Sequence, residues 1–283
     1  MTSNVALQKV KRLFNANKAG HTGSLDPIAT GVLPICLGEA TKVSGYLLES
    51  DKSYFVTLKL GQKTDTADIE GEVIETRPVP YISEQTLRKV LEQLTGIIQQ
   101  VPPMHSALKV NGQPLYKLAH QGLEVERQPR QVTIYQIDLL RQSNDEIDLH
   151  VRCSKGTYIR TLSEDIGELL GCGAHVTVLR RTQVSGHQLD QCMSLEQLAD
   201  AIEAAGFDSV DRRLLPMDSA LSQWPSIALT DDMAFYVKRG QAVLVPKAPM
   251  TGLVRLYGHK DGFLGIGHIL DDGRVAPKRL VNC

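Results

Sequence analysis

The sequence predicts an α+β domain of catalytic size followed by a small, β-rich, barrel-like module. Three observations carry that reading. Over the first two hundred residues, stretches with apolar residues at helical spacing alternate with stretches of period two. The chain changes character over 213–226 (RLLPMDSALSQWPS), which reads as an interdomain linker. Beyond it, glycines at 240, 252, 258, 262, 265, 267 and 273 punctuate short strand-like runs.

Taken in order, a first helix is predicted over 4–15, with Ser3 as its N-cap and Ala6, Val10, Leu13 and Phe14 on one face. Residues 18–38, rich in glycine and small side chains and holding two prolines, read as loop with short structured pieces. A second helix follows over 39–49. The run 53–60 (SYFVTLKL) alternates, putting Tyr54, Val56, Leu58 and Leu60 on one side of a strand. Leu87, Val90, Leu91 and Leu94 mark a helix over 83–94. Strands are predicted over 131–140 and 146–153, the second alternating Ile147, Leu149, Val151 and Cys153. A helix over 157–170, closed by Gly171, leads to a strand over 174–184. Between 101 and 130 the pattern weakens into Pro, Gly, Gln, His and basic residues, a composition more often functional or mobile than structural.

At 283 residues, the chain suits one large domain and one small one, given about 150 residues per domain. An apolar fraction of 42% is enough for a sizeable core. No apolar run reaches the roughly 18 residues of a membrane span, and the opening MTSNVALQKVKR has no signal-peptide core. Five cysteines without a C-x-x-C pair argue against disulfides or a zinc ribbon, so a reducing, cytoplasmic setting is expected. The net charge of −1 hides an asymmetry. Residues 1–63 carry +4, residues 224–283 carry +3, and the stretch between carries −8. Such a distribution permits a nucleic-acid face at the two ends and is equally compatible with ordinary solvated surfaces.

The densest cluster of unusual residues runs from Ala19 to Gly31 (AGHTGSLDPIATG). Its glycines allow close backbone approach, and Asp26 and His21 are the titratable groups it presents. Asp26 followed by Pro27 is also an ordinary helix start, a carboxylate cap ahead of a proline at the first helical position. The residues alone leave both readings open. A phosphate loop is excluded because no G-K-[ST] closes the glycines, and a dinucleotide fingerprint because no strand–G-x-G-x-x-G–helix unit surrounds them. The H-x-E and P-C-x-x-C of zinc deaminases are absent too.

The stretch GHTGSLDPIATGVLPICLGEATK closely resembles the motif of the TruB family of pseudouridine synthases, G-H-x-G-x-L-D-P-x-A-x-G-x-L, at every fixed position. Three further blocks are similar to that family. They are Lys52-Ser53-Tyr54 with LGQKTDT, then CSKGTYIRTL, and then Gly173-Ala174-His175 with Leu179-Arg180-Arg181. The C-terminal portion resembles a PUA-type RNA-binding domain, so the resemblance runs from Ser3 to Val281.

The resemblance implies a mixed, largely antiparallel sheet flanked by helices, with a catalytic domain over 1–215 and a PUA-like domain over 224–283. It implies isomerisation of the T-loop uridine of tRNA (position 55) to pseudouridine, after the base is flipped out, with no metal and no organic cofactor. Asp26 becomes the nucleophile, Arg160 the partner of its carboxylate, and Tyr54 the residue that stacks on the base and aids proton removal. Tyr158 and Leu179 fall near the uracil pocket, His21 on the rearranged loop, and Lys42, Lys155 and Arg181 at phosphates. The 102–130 stretch corresponds to an insertion that closes on RNA. A monomer with no obligatory protein partner is expected. An RNA-binding folding factor with weak or lost catalysis is the alternative.

One block departs from the family. The usual K-P-x-G segment ahead of the first helix is missing, and Met1-Thr2-Ser3 looks like its tail. The expectation is a longer gene product, with this 283-residue form less stable and less active. Equal melting temperature and turnover for an upstream-extended form would contradict it.

Overall fold

A computed structural model describes residues 1–110, 112–119 and 121–282, apart from the side chain of Ala220. Its chain falls into two compact units. One comprises Leu25–Val32 and Ser50–Gln191, the other Met1–Ser24, Leu33–Glu49 and Cys192–Cys283.

The first of these is built on a seven-stranded mixed sheet. Its order is His187–Gln188, Ala174–Val184, Lys52–Leu60, Glu146–Cys153, Arg130–Gln142, Gly96–Gln100, with Thr30–Gly31 alongside Ala174–Val184. Every pairing is antiparallel except that of Thr30–Gly31. The alternation read in 53–60 and 146–153 has a direct cause. Val56, Leu58, Leu149 and Val151 stand on one face and form a buried cluster with Leu87, Val90 and Leu91 of helix Glu84–Gln93 and Ile159, Leu162 and Ile166 of helix Ile159–Leu169. Burying each such side chain is worth about 1.5–3 kcal/mol. Ser83 caps the former helix by accepting from the Thr86 N–H at 3.1 Å.

Within 102–130 the chain forms a small hairpin, Lys109–Val110 with Gln113–Pro114, and a short helix, Leu115–Ala119. Leu115 is fully buried, which gives the irregular stretch its own anchor. Asn111 and His120 lie outside the described residues.

In the second unit, the first helix spans Ser3–Leu13 and its cap is Thr2, not Ser3. The Thr2 hydroxyl accepts from the Val5 N–H at 3.3 Å, while Ser3 is buried inside the helix. The helix predicted over 39–49 is split into a 3-10 turn, Gly38–Lys42, and a short helix, Ser44–Leu48. A four-stranded sheet follows in the order Ser226–Leu229, Leu253–Gly258, Gly262–Ile269, Val275–Leu280, the first pair parallel, with helix Asp231–Lys238 packed on it.

One expectation needs correction here. The stretch 213–226 is not a free linker. Leu221 is buried in a cluster with Cys36, Val43, Leu47 and Ile266, Trp224 packs edge-on against Tyr46, and Asp218 accepts from the Tyr257 hydroxyl. Helix Leu195–Ala205 occupies a stretch for which no element was predicted, although Leu195, Leu198 and Ile202 recur there at helical spacing; no residue in it is buried. Ser194 and Gln197 start it with a reciprocal capping box.

Candidate active site

The Asp-Pro pair opens a tight turn rather than a helix. The Ala29 N–H donates to the Asp26 carbonyl at 2.9 Å, and the chain then extends into strand Thr30–Gly31. The turn is fastened on both sides. Ile28 and Ala29 pack against the sheet's apolar cluster. Gly31 lies opposite Arg181, the Val32 N–H donates to the Arg181 carbonyl at 2.9 Å, and Arg181 Nε donates to the Val32 carbonyl at 2.7 Å.

Gly31 is required by this fastening. Its φ is +103°, and a Cβ there would stand 2.1 Å from the Arg181 carbonyl oxygen. Backbone strain of that kind costs about 1–3 kcal/mol even before the collision is relieved. Gly31→Ala is therefore expected to lose at least that much in urea unfolding and to slow the reaction, since Asp26 hangs from the same turn. A variant with unchanged midpoint and rate would contradict this account.

Arg160 comes from the first turn of helix Ile159–Leu169, whose apolar face faces the core, and its side chain is only 4% exposed. Its guanidinium holds several separate pieces of chain together. Nε donates to Asp26 Oδ2 at 2.9 Å, one terminal nitrogen donates to the Thr66 carbonyl at 3.0 Å, and the other to the His105 carbonyl at 2.8 Å. Asp68, 3% exposed, adds a second carboxylate 3.4 Å away. Its other oxygen accepts from the Thr66 hydroxyl at 2.7 Å and the Glu70 N–H at 3.0 Å. A planar fork that bonds in several directions at once suits arginine and not lysine. Asp26, in contrast, keeps 37% of its side chain exposed, so it is oriented from behind and open in front.

Tyr54 sits on strand Lys52–Leu60 directly opposite Arg181 and hydrogen-bonds to it. Burial pushes the Tyr54 hydroxyl up to about 12, with the Arg181 charge acting the other way. Arg181, 1% exposed, has its own pKa lowered by burial, while Tyr54 and Asp26 both oppose that shift. Tyr54 thus stays neutral through the physiological range. Because an unfolded tyrosine ionises near its ordinary value of 10 and the folded one near 12, stability is full below pH 10 and declines as pH rises through that interval. Tyr54→Phe is expected to remove this part of the alkaline loss, read as a smaller fall in urea midpoint between pH 9 and 11.5; equal falls would sink it.

The structure thus brings Asp26, Arg160, Tyr54 and Arg181 together in one unit. Tyr158 starts the Arg160 helix as its N-cap, and Leu179 is buried in the core beside Val56. Lys155 is exposed in the turn before Tyr158. His21 and Lys42 belong to the other unit. His21 lies in strand Ala19–His21 opposite Ile35, and Lys42 donates to the Leu280 carbonyl at 3.1 Å and pairs with Glu39 at 2.6 Å. Among the three residues expected at phosphates, Lys155 is the exposed one, whereas Arg181 is enclosed behind Tyr54 and the Asp26 turn. Sequence reasoning missed Asp68, although it closes the TDTAD run whose first residues belong to a family block. Among the described residues, no group of three or more His, Cys, Asp or Glu is arranged to hold a metal ion.

The fold that carries this carboxylate has counterparts among solved structures. A chain in a solved structure, "Crystal Structure of a Cbf5-Nop10-Gar1 Complex", superposes with a TM-score of 0.77 at 26% identity, over 100% of this chain and 81% of that one. The architecture is that of the pseudouridine synthases. The model described as "TruB family pseudouridylate synthase (N terminal domain)" matches residues 11–159. Those for the C-terminal domains of tRNA pseudouridylate synthase B and of pseudouridine synthase II TruB match 160–222 and 225–281. The tRNA pseudouridine synthase B of Coxiella burnetii (strain RSA 493 / Nine Mile phase I) is 56% identical, over 99% of this chain and 91% of its own length. That of Aeromonas salmonicida (strain A449) is 54% identical, over 99% and 90%. The chain belongs to the TruB family.

Proposed function

We propose that this chain converts the T-loop uridine of tRNA, position 55, into pseudouridine. The observation that carries the reading is the Asp26–Arg160 pair, a carboxylate bonded at 2.9 Å to a buried guanidinium yet still open to an incoming nucleoside. Such a carboxylate can add covalently to the substrate, or stabilise charge at C1′, and then leave again while the C1′–N1 bond is exchanged for a C1′–C5 bond. The target base must be extruded from its loop to be reached, and Tyr54 offers an aromatic face that recovers lost stacking. A neutral Tyr54 can also relay the proton displaced from C5, taking it on the hydroxyl oxygen as it gives its own hydroxyl proton to solvent water.

On the same reading Tyr158 and Leu179 border the base, His21 holds the rearranged loop, and Lys42 and Lys155 serve the phosphates, whereas Arg181, expected there from the resemblance, is buried beside Tyr54 and out of a phosphate's reach. Residues 1–215 form the catalytic domain and 224–283 a PUA-like RNA-binding domain, the 102–130 insertion closing on the RNA. The enzyme works in the cytoplasm as a monomer, without metal, cofactor or obligatory protein partner. The test is release of tritium from C5 of the target uridine in an unmodified T-arm stem–loop, by the purified chain alone. Release supports the reading, and binding without release would favour the folding-factor alternative.

A further inference from the structure

Gln100 is the last residue of strand Gly96–Gln100 and is 2% exposed, an unusual place for an amide. Its backbone belongs to the sheet, opposite Arg130. Its side chain crosses to a different element, where both polar atoms engage the main chain of one residue. The Tyr158 N–H donates to Gln100 Oε1 at 3.0 Å, and Gln100 Nε2 donates to the Tyr158 carbonyl at 3.3 Å.

Tyr158 is where helix Ile159–Leu169 begins. Its carbonyl accepts the helix's first hydrogen bond, from the Leu162 N–H at 3.1 Å. As an N-cap, however, a tyrosine carries its one acceptor at the far end of the ring, and no side-chain cap bond is made. Gln100 fixes the start of this helix from outside, by holding the cap residue's own donor and acceptor at once. Two residues further on is Arg160, whose guanidinium donates to Asp26 and to the His105 carbonyl. Two ties therefore join the segment 100–105 to the helix start, Gln100 to Tyr158 and His105 to Arg160.

We propose that Gln100 is a positioning residue for the reaction, setting the origin of the helix from which Arg160 orients Asp26. It touches neither the nucleophile nor, on this arrangement, the base. Its effect passes through the placement of Arg160, where an error of about 1 Å can cost on the order of 10²-fold in rate. The inference rests on the synthase activity proposed above.

The test compares Gln100→Met, which keeps size and removes both hydrogen bonds, with the parent chain. Single-turnover tritium release is measured at saturating T-arm RNA, alongside the dissociation constant for that RNA. Val90→Ala, a core truncation on helix Glu84–Gln93 away from this tie, serves as a control for destabilisation alone, with all variants assayed well below their melting temperatures. We expect Gln100→Met to fall about 10- to 100-fold in rate, with less than about threefold change in affinity, while Val90→Ala keeps the parent's rate. A Gln100→Met rate within twofold of the parent, a loss confined to affinity, or an equal loss in Val90→Ala overturns the assignment. Should Gln100→Met fail to fold, Gln100→Glu decides, since it keeps the acceptor for the Tyr158 N–H and loses the donor; parental rate in that variant overturns the assignment as well. An inactive parent overturns the functional reading and this inference together, whereas an active parent matched by its variant overturns this inference alone.

Discussion

Asp26→Asn is expected to abolish tritium release while leaving the fold and RNA binding nearly intact. The substitution changes one oxygen to an amide nitrogen, so the remaining oxygen can still accept from Arg160 Nε, and the turn from Asp26 to Ala29 depends on main-chain atoms only. What disappears is the negative charge that, on the proposed reading, adds to the substrate or stabilises charge at C1′. Loss of a covalent nucleophile in an otherwise intact site costs on the order of 10⁴- to 10⁶-fold. The measurement is single-turnover release with matched RNA dissociation constants. A residual rate above about one hundredth of the parent's would be too fast for a lost nucleophile and would return Asp26 to the structural role its place before a proline first suggested.

The second large effect falls on stability as well as rate. Arg160→Met removes the one charge that, among the described residues, is paired with Asp68, which is 3% exposed, and removes donors to two main-chain carbonyls. Breaking a buried ion pair from one side costs about 3–5 kcal/mol because the surviving charge remains desolvated. Arg160→Lys restores the charge but has no planar fork to reach Asp26, the Thr66 carbonyl and the His105 carbonyl together, so it should recover stability better than turnover. Chemical denaturation and release kinetics on both variants check this. A methionine variant within about 1 kcal/mol of the parent would show that Asp68 is relieved by something other than Arg160.

The parts of this molecule that were legible in sequence are those whose cause is local. Helix Glu84–Gln93 declares itself through Leu87, Val90 and Leu91 at helical spacing and Ser83 as cap, and strand Ala174–Val184 ends where it was expected. The helix predicted from 157 begins instead at Ile159, because Tyr158 is held in extended geometry and is gripped by Gln100 from 58 residues away. Asp26 was legible through a long motif and not through its chemistry, since Asp-Pro serves turns and caps alike. Asp68 and Gln100 had no local signal. Each matters through a partner distant in sequence, and nothing in the spacing of polar residues encodes such a meeting. The stretch 213–226 misled for the converse reason: its composition is that of a linker, but Leu221 and Trp224 give it something to bury.

The route of the chain has a practical consequence. Leu25–Val32 joins one compact unit, while the segments on both sides of it, Met1–Ser24 and Leu33–Glu49, belong to the other. A single scission between Glu49 and Ser50 would therefore put Asp26 on one polypeptide and Tyr54, Arg160 and Arg181 on the other. Neither fragment would carry a complete reactive centre, and turnover would return only when the two were reunited. The protein is in this sense already partitioned as a complementation reporter, with the glycine of one fragment, Gly31, seated against the arginine of the other.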